Sequence, residues 1–385
     1  MKKIILTVAV SCLAISTSLA QSYEQVMKAI LNNSPQINVL NLQYSADSLS
    51  LRQGLNPADP ELGYEYGLTE GTNEVSINQS FDFPTVYHQR NKVAKHSIDK
   101  AYLNKMAMRR ELLLKASELY QGLVYQNRMV QLYEMRVLGM KALEEKSLLA
   151  VKTGTMTLLE QRKIEMLKIT AFNSLSDAKE QKETIKQQLR SMGANFNALP
   201  STFALYTFSG TKDEFISAAT ASDWALQAVK TDSLIAMRSL KLARNEWIPQ
   251  LSVGYTADFH DASGLSNKVS VGISVPLWSK RNNVKHAKAM IKASSANIEV
   301  AMNDIYANLS TLYDQYSSAF DNNKRWLQSN FPEYLSLLEK SLALGQITSM
   351  EFLQEMNELQ DIEKEILTSR YSYALIAGRM AIYLQ

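Results

Sequence analysis

The chain has 385 residues, with 14 Gly and 8 Pro, and it is rich in Ala, Leu, Lys, Glu, Gln and Met, a balance that favours long helices. Its 41 basic and 38 acidic residues leave a net charge of +3, and a surface so balanced gives no basis for nucleic-acid binding. The only cysteine is Cys12, so no disulfide framework exists within the chain.

Met1 to Ala20 has the pattern of a secretory signal. Lys2 and Lys3 form its basic start, Ile4 to Ile15 its apolar run, and Ser18-Leu19-Ala20 a cleavage site before Gln21. Cleavage there removes Lys2, Lys3 and Cys12, taking the charge from +3 to +1 and leaving no thiolate for a metal. A lipid-attachment cysteine would close the apolar run, but Leu13, Ala14 and Ile15 continue it past Cys12. No later apolar run is long enough for a transmembrane helix.

Beyond the signal the pattern is helical from Ser22 to Asn56, with a start at Ser34-Pro35. The period then changes. Leu62, Tyr64 and Tyr66 alternate with Gly63 and Glu65, and after the polar turn Thr69 to Asn73 the residues Val75, Ile77, Phe81 and Phe83 alternate with Ser76, Asn78, Ser80 and Asp82. Alternation of this kind predicts a β-hairpin over 61–83, ended by Pro84. Residues 86 to about 150 contain no Pro and predict a helix on the order of 100 Å long. Lys152-Thr153-Gly154-Thr155 interrupts it, and a second helix from Thr157 to Met192 completes a helical hairpin over 86–192.

The second half follows the same plan. Residues 213–247 are expected to be helical with a break near Ala221-Ser222-Asp223. A β-hairpin is expected over 250–277, with strands Leu251–Phe259 and Val269–Leu277 around the turn Asp261 to Ser266. A helical hairpin over 280–385 follows, with a kink or break at Pro332 and its tip at Gly345. Two echoes fix the register of this duplication. Arg90-Asn91 recurs as Arg281-Asn282, and Gly154 to Glu160 recurs as Gly345 to Glu351, both at an offset of 191 (281 − 90 and 345 − 154). Three segments result: 1–20, a signal; 21–200, the first repeat; and 201–385, the second.

Four strands close no barrel, and nothing near them supplies a second apolar layer. Strands of this length do match a tilted bilayer crossing. Three chains with four strands each would give an even-numbered barrel. Its outside would carry Leu62, Tyr64, Tyr66, Val75, Ile77, Phe81, Leu251, Val253, Tyr255, Val271, Ile273 and Val275, and its lumen Gly63, Glu65, Ser76, Asn78, Ser252, Thr256 and Ser270. Tyr87 and Trp278 fall where an interfacial aromatic belt is expected.

A signal followed by a helix, a β-hairpin and a very long helical hairpin, then the same again, resembles the TolC family of outer-membrane efflux proteins. The likeness spans essentially the whole mature chain. Its local anchors are Pro249-Gln250-Leu251 entering a strand, Val275-Pro276-Leu277 leaving one, and the two Gly-x-x-Thr tips. It implies a fold that is mainly α with membrane β: a homotrimer with a twelve-stranded β-barrel continued by an α-helical periplasmic tunnel. It also implies an outer-membrane duct of a tripartite efflux or type I secretion system, a passive conduit docking to a periplasmic adaptor (a membrane fusion protein) and an inner-membrane pump, with outer-membrane lipid around the barrel.

The resemblance further implies site residues. Thr153, Gly154, Thr155 and Thr157, with Leu344, Gly345, Gln346 and Thr348, match the tips that meet the adaptor. Glu351 and Gln354 match the two positions of the closed constriction, so Glu351 would form a ring of three carboxylates favouring cations. Gln354 is neutral where the family's ring is doubly acidic, and Ile347 stands where some members carry a basic gating residue. Glu160, the repeat mate of Glu351, is assigned to the same constriction or to a neighbouring helix. Pro84 with Arg90, and Pro276 with Arg281, mark the two junctions between barrel and tunnel, where arginine either meets lipid head groups or caps the junction.

Other chemistry finds no support. His88, His96, His260 and His286 lack metal-ligand spacing, and the 16 Met are scattered as helical core fillers. No nucleophile elbow, phosphate-binding glycine loop or paired catalytic carboxylates occur, so no enzyme activity and no cofactor is expected. A periplasmic adaptor and a structural coiled-coil protein are the alternatives. Adaptors carry one helical hairpin beside compact β domains, and a coiled coil would show a heptad without period-2 interruptions.

Overall fold

The computed structural model describes residues 22–67, 72–196, 199–260 and 264–384. The expected signal at 1–20, with Cys12, and the centres of both expected strand turns, at 69–71 and 261–263, lie outside the described residues.

The elements are α1 (Tyr23–Asn33), α2 (Pro35–Gln53), β1 (Glu61–Tyr66), β2 (Thr72–Phe81), α3 (Pro84–Lys152), α4 (Leu158–Ser191), α5 (Lys212–Ala221), α6 (Trp224–Asn245), β3 (Gln250–His260), β4 (Gly264–Ser274), α7 (Asn283–Leu327), α8 (Phe331–Ala343) and α9 (Ser349–Tyr383). This is the mainly α fold with two β-hairpins and long helical hairpins that the sequence led us to expect. Helix starts have local causes. Pro84 opens α3, where its missing N–H costs nothing. Ser22 with Gln25 and Thr211 with Glu214 form capping boxes on α1 and α5, and the Asp223 side chain accepts from Leu226 N at the start of α6.

Three details differ from the sequence reading. β4 begins at Gly264 and ends at Ser274, so Val275-Pro276-Leu277 lies outside the strand. Pro276 has no N–H for the ladder and restricts Val275 before it. β3 runs one residue past the expected Phe259 and closes at His260. The interruption after α7 falls at 328–330, and Pro332 lies in the first turn of α8, a position proline tolerates, so it kinks nothing.

Contacts divide the chain into two compact units, each assembled from both halves of the sequence. Of the described residues, one holds 22–37, Leu112–Ser209 and Leu312–Ile382; the other holds Asn38–Glu111, Gly210–Thr311 and 383–384. In the first unit, Val26 and Ile30 of α1 pack with Leu119, Tyr120, Leu123 and Val124 of α3 and Leu189 of α4. The irregular segment 199–209 is held on this unit by side chains that take the place of a ladder. Gln121 bonds Ala204 in both directions, Arg128 donates to Ser201 O, Tyr373 donates to Tyr206 O, and Phe208 N donates to the Tyr316 hydroxyl. Burial pushes the Tyr120 and Tyr316 hydroxyls up to about 12.

The second unit carries the sheet, antiparallel in the order β1-β2-β3-β4. Its helices are tied by Arg110 to Asp223 at 2.6 Å, a pair almost closed to solvent, and by Lys100 to Asp232 at 2.7 Å.

Candidate functional site: a two-faced sheet, its junctions and the helical tips

Strands β2 and β3 pair along their whole length, from Thr72↔His260 to Phe81↔Leu251, so the two halves of the chain share one sheet. The register lays apolar rows side by side on one face. Leu62, Ile77, Tyr255 and Val269 form one row, and Phe81, Leu251 and Ile273 another. Val269, Val271 and Ile273 are 75%, 74% and 66% exposed, so none of the described residues covers this face. Two polar residues interrupt it toward the turn end, and tyrosines satisfy both. Tyr64 donates to Asn73 Oδ1 at 2.6 Å, and Tyr255 donates to Asn267 Oδ1 at 2.8 Å. Tyrosine with its ring in an apolar layer and its hydroxyl at a polar rim suits the edge of a bilayer.

The opposite face is polar and thin. The rows Gly63–Ser76–Thr256–Lys268 and Asn78–Gly254–Ser270 lie there, with Ser252–Gly272 beside them. A Cβ on Gly63, Gly254 or Gly272 would stand 2.6 Å from the Oγ of Ser76, Ser270 or Ser252 respectively. Each glycine thus makes room for the serine across from it. Lys268 reaches Asp258 Oδ2 at 2.5 Å on this face. Strands β2, β3 and β4 have 10, 11 and 11 residues, the length of a tilted crossing, while β1 has 6. The outer edges of β1 and β4 have no strand partner among the described residues.

The two junctions are built differently. At the first, Asp82 receives Arg90 at 2.6 Å and Gln250 at 2.6 Å, and Arg90 also lies 5.7 Å from the centre of the Tyr87 ring. Arg90 therefore fastens the strand exit to the start of α3. At the second, Glu246 receives Lys280 at 3.6 Å and Asn283 at 3.2 Å, while Arg281 stays exposed. Pro84 is the first residue of α3, and Pro276 lies between β4 and α7.

The tips repeat the same backbone turn. Gly154 has φ +72° and Gly345 φ +69°. Thr155 N donates to Ala150 O and Gln346 N to Ser341 O, both at 2.9 Å, closing each helix with the hydrogen bond that a left-handed glycine allows. Within the chain a Cβ at either glycine would meet nothing within 4 Å. Inside the chain, the positive backbone angle is what calls for glycine at both tips. Thr153 and Thr155 hydroxyls donate to Ala150 O, finishing the end of α3. Leu159 beside the first tip is 82% exposed and Leu344 at the second 73%.

Glu160 and Glu351 have a local role that their spacing encodes. Thr157 N donates to Glu160 Oε2 at 2.8 Å while Glu160 N donates to Thr157 Oγ1 at 3.2 Å. Thr348 and Glu351 make the same exchange at 2.7 and 3.2 Å. Both are capping boxes, legible as Thr-x-x-Glu. The hydrogen bond from the threonine amide, then that of its hydroxyl, holds each carboxyl below its ordinary 4.5. Gln354 is exposed one turn after Glu351 on α9. The structure thus places Glu351 and Gln354 together beside the second tip and Glu160 beside the first.

Sequence reasoning missed Gly193, with φ +95°, where a Cβ would stand 2.8 Å from the carbonyl carbon of Asn33. Its place just after the last apolar residues of α4 was the available signal. Among the described residues no cluster of His, Cys, Asp and Glu is fit to hold a metal, and no helix is long and apolar enough to cross a membrane.

Elements and register together define a duplicated protein of helical hairpins and β-hairpins with one uncovered apolar sheet face. No protein-family model and no curated protein matches the sequence. Solved structures do. A membrane protein from Pseudomonas aeruginosa is similar with a TM-score of 0.78 at 14% identity, over 94% of this chain and 93% of that one. CusC, a protein studied for transmembrane channel formation, gives 0.74 at 13%, over 95% of both chains. The Campylobacter jejuni CmeC outer membrane channel gives 0.72 at 12%, over 94% of this chain and 85% of that one. The fold of this chain is therefore the one those channels have, as the resemblance to the TolC family implied.

Proposed function

We propose that this chain is an outer-membrane duct, working as a homotrimer that continues into the periplasm and passes cargo delivered by an adaptor and an inner-membrane pump. The single observation that carries the reading is the sheet: apolar and uncovered on one face, small and polar on the other, with free outer edges. In water such a face and such edges drive aggregation. In a bilayer the apolar face meets lipid, and the edges pair with those of two further copies, four strands from each. The polar faces then line a water-filled lumen, and the Gly–Ser pairs keep its wall thin. Energy comes from the pump.

Within this reading the tips at Gly154 and Gly345, with Leu344, Gln346 and the four threonines, meet the adaptor, and Glu351 with Gln354 forms the constriction of the closed state. The test is single-channel conductance in planar bilayers, with Glu160 as the internal control. Glu351→Gln keeps the cap, because glutamine serves equally in a capping box, but removes the charge. It is expected to lower cation preference, whereas Glu160→Gln leaves it unchanged. No effect from Glu351→Gln would remove Glu351 from the constriction, and equal effects from both would place Glu160 in it as well. A mature protein that stays a soluble monomer without detergent would overturn the duct itself.

A further inference from the structure

The exit from the second β-hairpin carries cations without acids. Lys280, Arg281, Lys285, Lys288 and Lys292 follow Trp278, and no Asp or Glu occurs before Glu299. Lys280 pairs with Glu246 at 3.6 Å. The other four have no ion pair among the described residues, and all four are exposed. Arg281, Lys285, Lys288 and Lys292 are spaced four, three and four apart, which aligns them as one stripe along α7 and the turn before it. Ala287 and Ser294 on another side of the same helix are buried, so the stripe lies clear of the packing.

The duplication shows that this charge is not simply structural. Arg90, the repeat mate of Arg281, spends its charge on Asp82. At the same offset Asp82 falls on Ile273, and the next residue is Ser274, so the second copy keeps the arginine without its acid. Directly before the stripe, past the end of β4, stand Leu277 and Trp278, both exposed, the latter at 79%. Apolar strand, then tryptophan, then free cations is the order met on passing from hydrocarbon through the interface to the head groups.

We propose that Arg281, Lys285 and Lys288 form a belt that binds the phosphates of anionic glycerophospholipids in the leaflet beside the helices. The proposal rests on the duct reading above. The helix advances about 1.5 Å per residue, and the head-group layer is on the order of 5–8 Å deep. Lys285 and, by reaching back along its own stem, Lys288 fall within range of it, while Lys292 lies too far along.

The experiment reconstitutes the full-length protein into vesicles of phosphatidylcholine, alone or mixed with phosphatidylglycerol, and measures the lipid held at its surface with spin-labelled analogues of each. The wild type is expected to prefer phosphatidylglycerol by about fivefold or more, the effect of one or more surface cations. R281Q/K285Q/K288Q is expected to bring the ratio near one, while R281K and K292Q keep it. Retention of the preference in the triple variant, or its loss in K292Q alone, refutes the belt. If the wild type floats with both kinds of vesicle but shows no preference, the belt is wrong and the duct reading stands. If it floats with neither, the duct reading fails and the belt with it. Far-UV circular dichroism matching the wild type confirms that the triple variant is folded.

Discussion

Replacing the left-handed glycines one at a time separates two physical effects that sequence alone confounds. At Gly154 and Gly345 an added Cβ meets nothing within 4 Å, so alanine there feels only the cost of a positive φ. That cost is about 1–2 kcal/mol for an L-residue, which corresponds to a population shift of roughly 5–30-fold. At Gly193 the same strain is joined by contacts of 2.8–2.9 Å with the backbone of Asn33 and Ser34, which cannot rotate aside. The loss there is expected to reach about 3 kcal/mol or more. Gly139, inside α3 with no neighbour within 4 Å, provides the opposite sign: alanine is expected to stabilise the helix by about 1 kcal/mol. Hydrogen exchange resolved by peptide measures the tips. The amides of Thr155 and Gln346 should exchange about 5–30 times faster in G154A and G345A respectively. Chemical denaturation in detergent measures the other two. If G193A is no worse than the tip variants, or if G139A destabilises, the separation into strain and contact is wrong.

The remaining expectations address the sheet and the tips. Val271→Arg places a charge on the apolar face and is expected to cost about 2 kcal/mol or more of stability in lipid, whereas Thr256→Asp on the polar face, across from Lys268, costs little; equal losses in a refolding titration would contradict the assignment of faces. The Glu160 and Glu351 carboxyls are held below 4.5, so their caps are complete above that value and are lost as pH falls through the lower one. Carboxyl carbon shifts of labelled glutamate should titrate with midpoints under 4.5 at these two positions; midpoints at or above it would mean the caps do not form. Bulky residues at Gly154 and Gly345, such as tryptophan, are expected to abolish export while trimer and bilayer insertion persist, and export at the normal rate would dissociate the tips from adaptor docking.

Much of this architecture depends on short-range periodicity, and the sequence carries that openly. Alternation of Val75, Ile77 and Phe81 with Ser76, Asn78 and Ser80 fixes which side chains share a face, because successive residues of a strand point to opposite sides. Long stretches free of proline fix the helical hairpins, and the common offset of 191 reveals the duplication. Even the capping boxes were readable, since Thr157 with Glu160 and Thr348 with Glu351 are three residues apart.

Other features depend on groups far apart in the chain, and only the tertiary structure decided them. The pairing of β2 with β3 joins the halves into one sheet, and periodicity does not say which strands are neighbours. Asp82 meets Gln250 across 168 residues, and Gly193 touches Asn33 from the far end of the first repeat. The two arginines illustrate the division most directly. Each followed by Asn at the same place in its repeat, Arg90 is bound to Asp82 while Arg281 has no ion pair among the described residues, because a counter-ion is a matter of distance in space and the duplication preserved the arginine but not the acid.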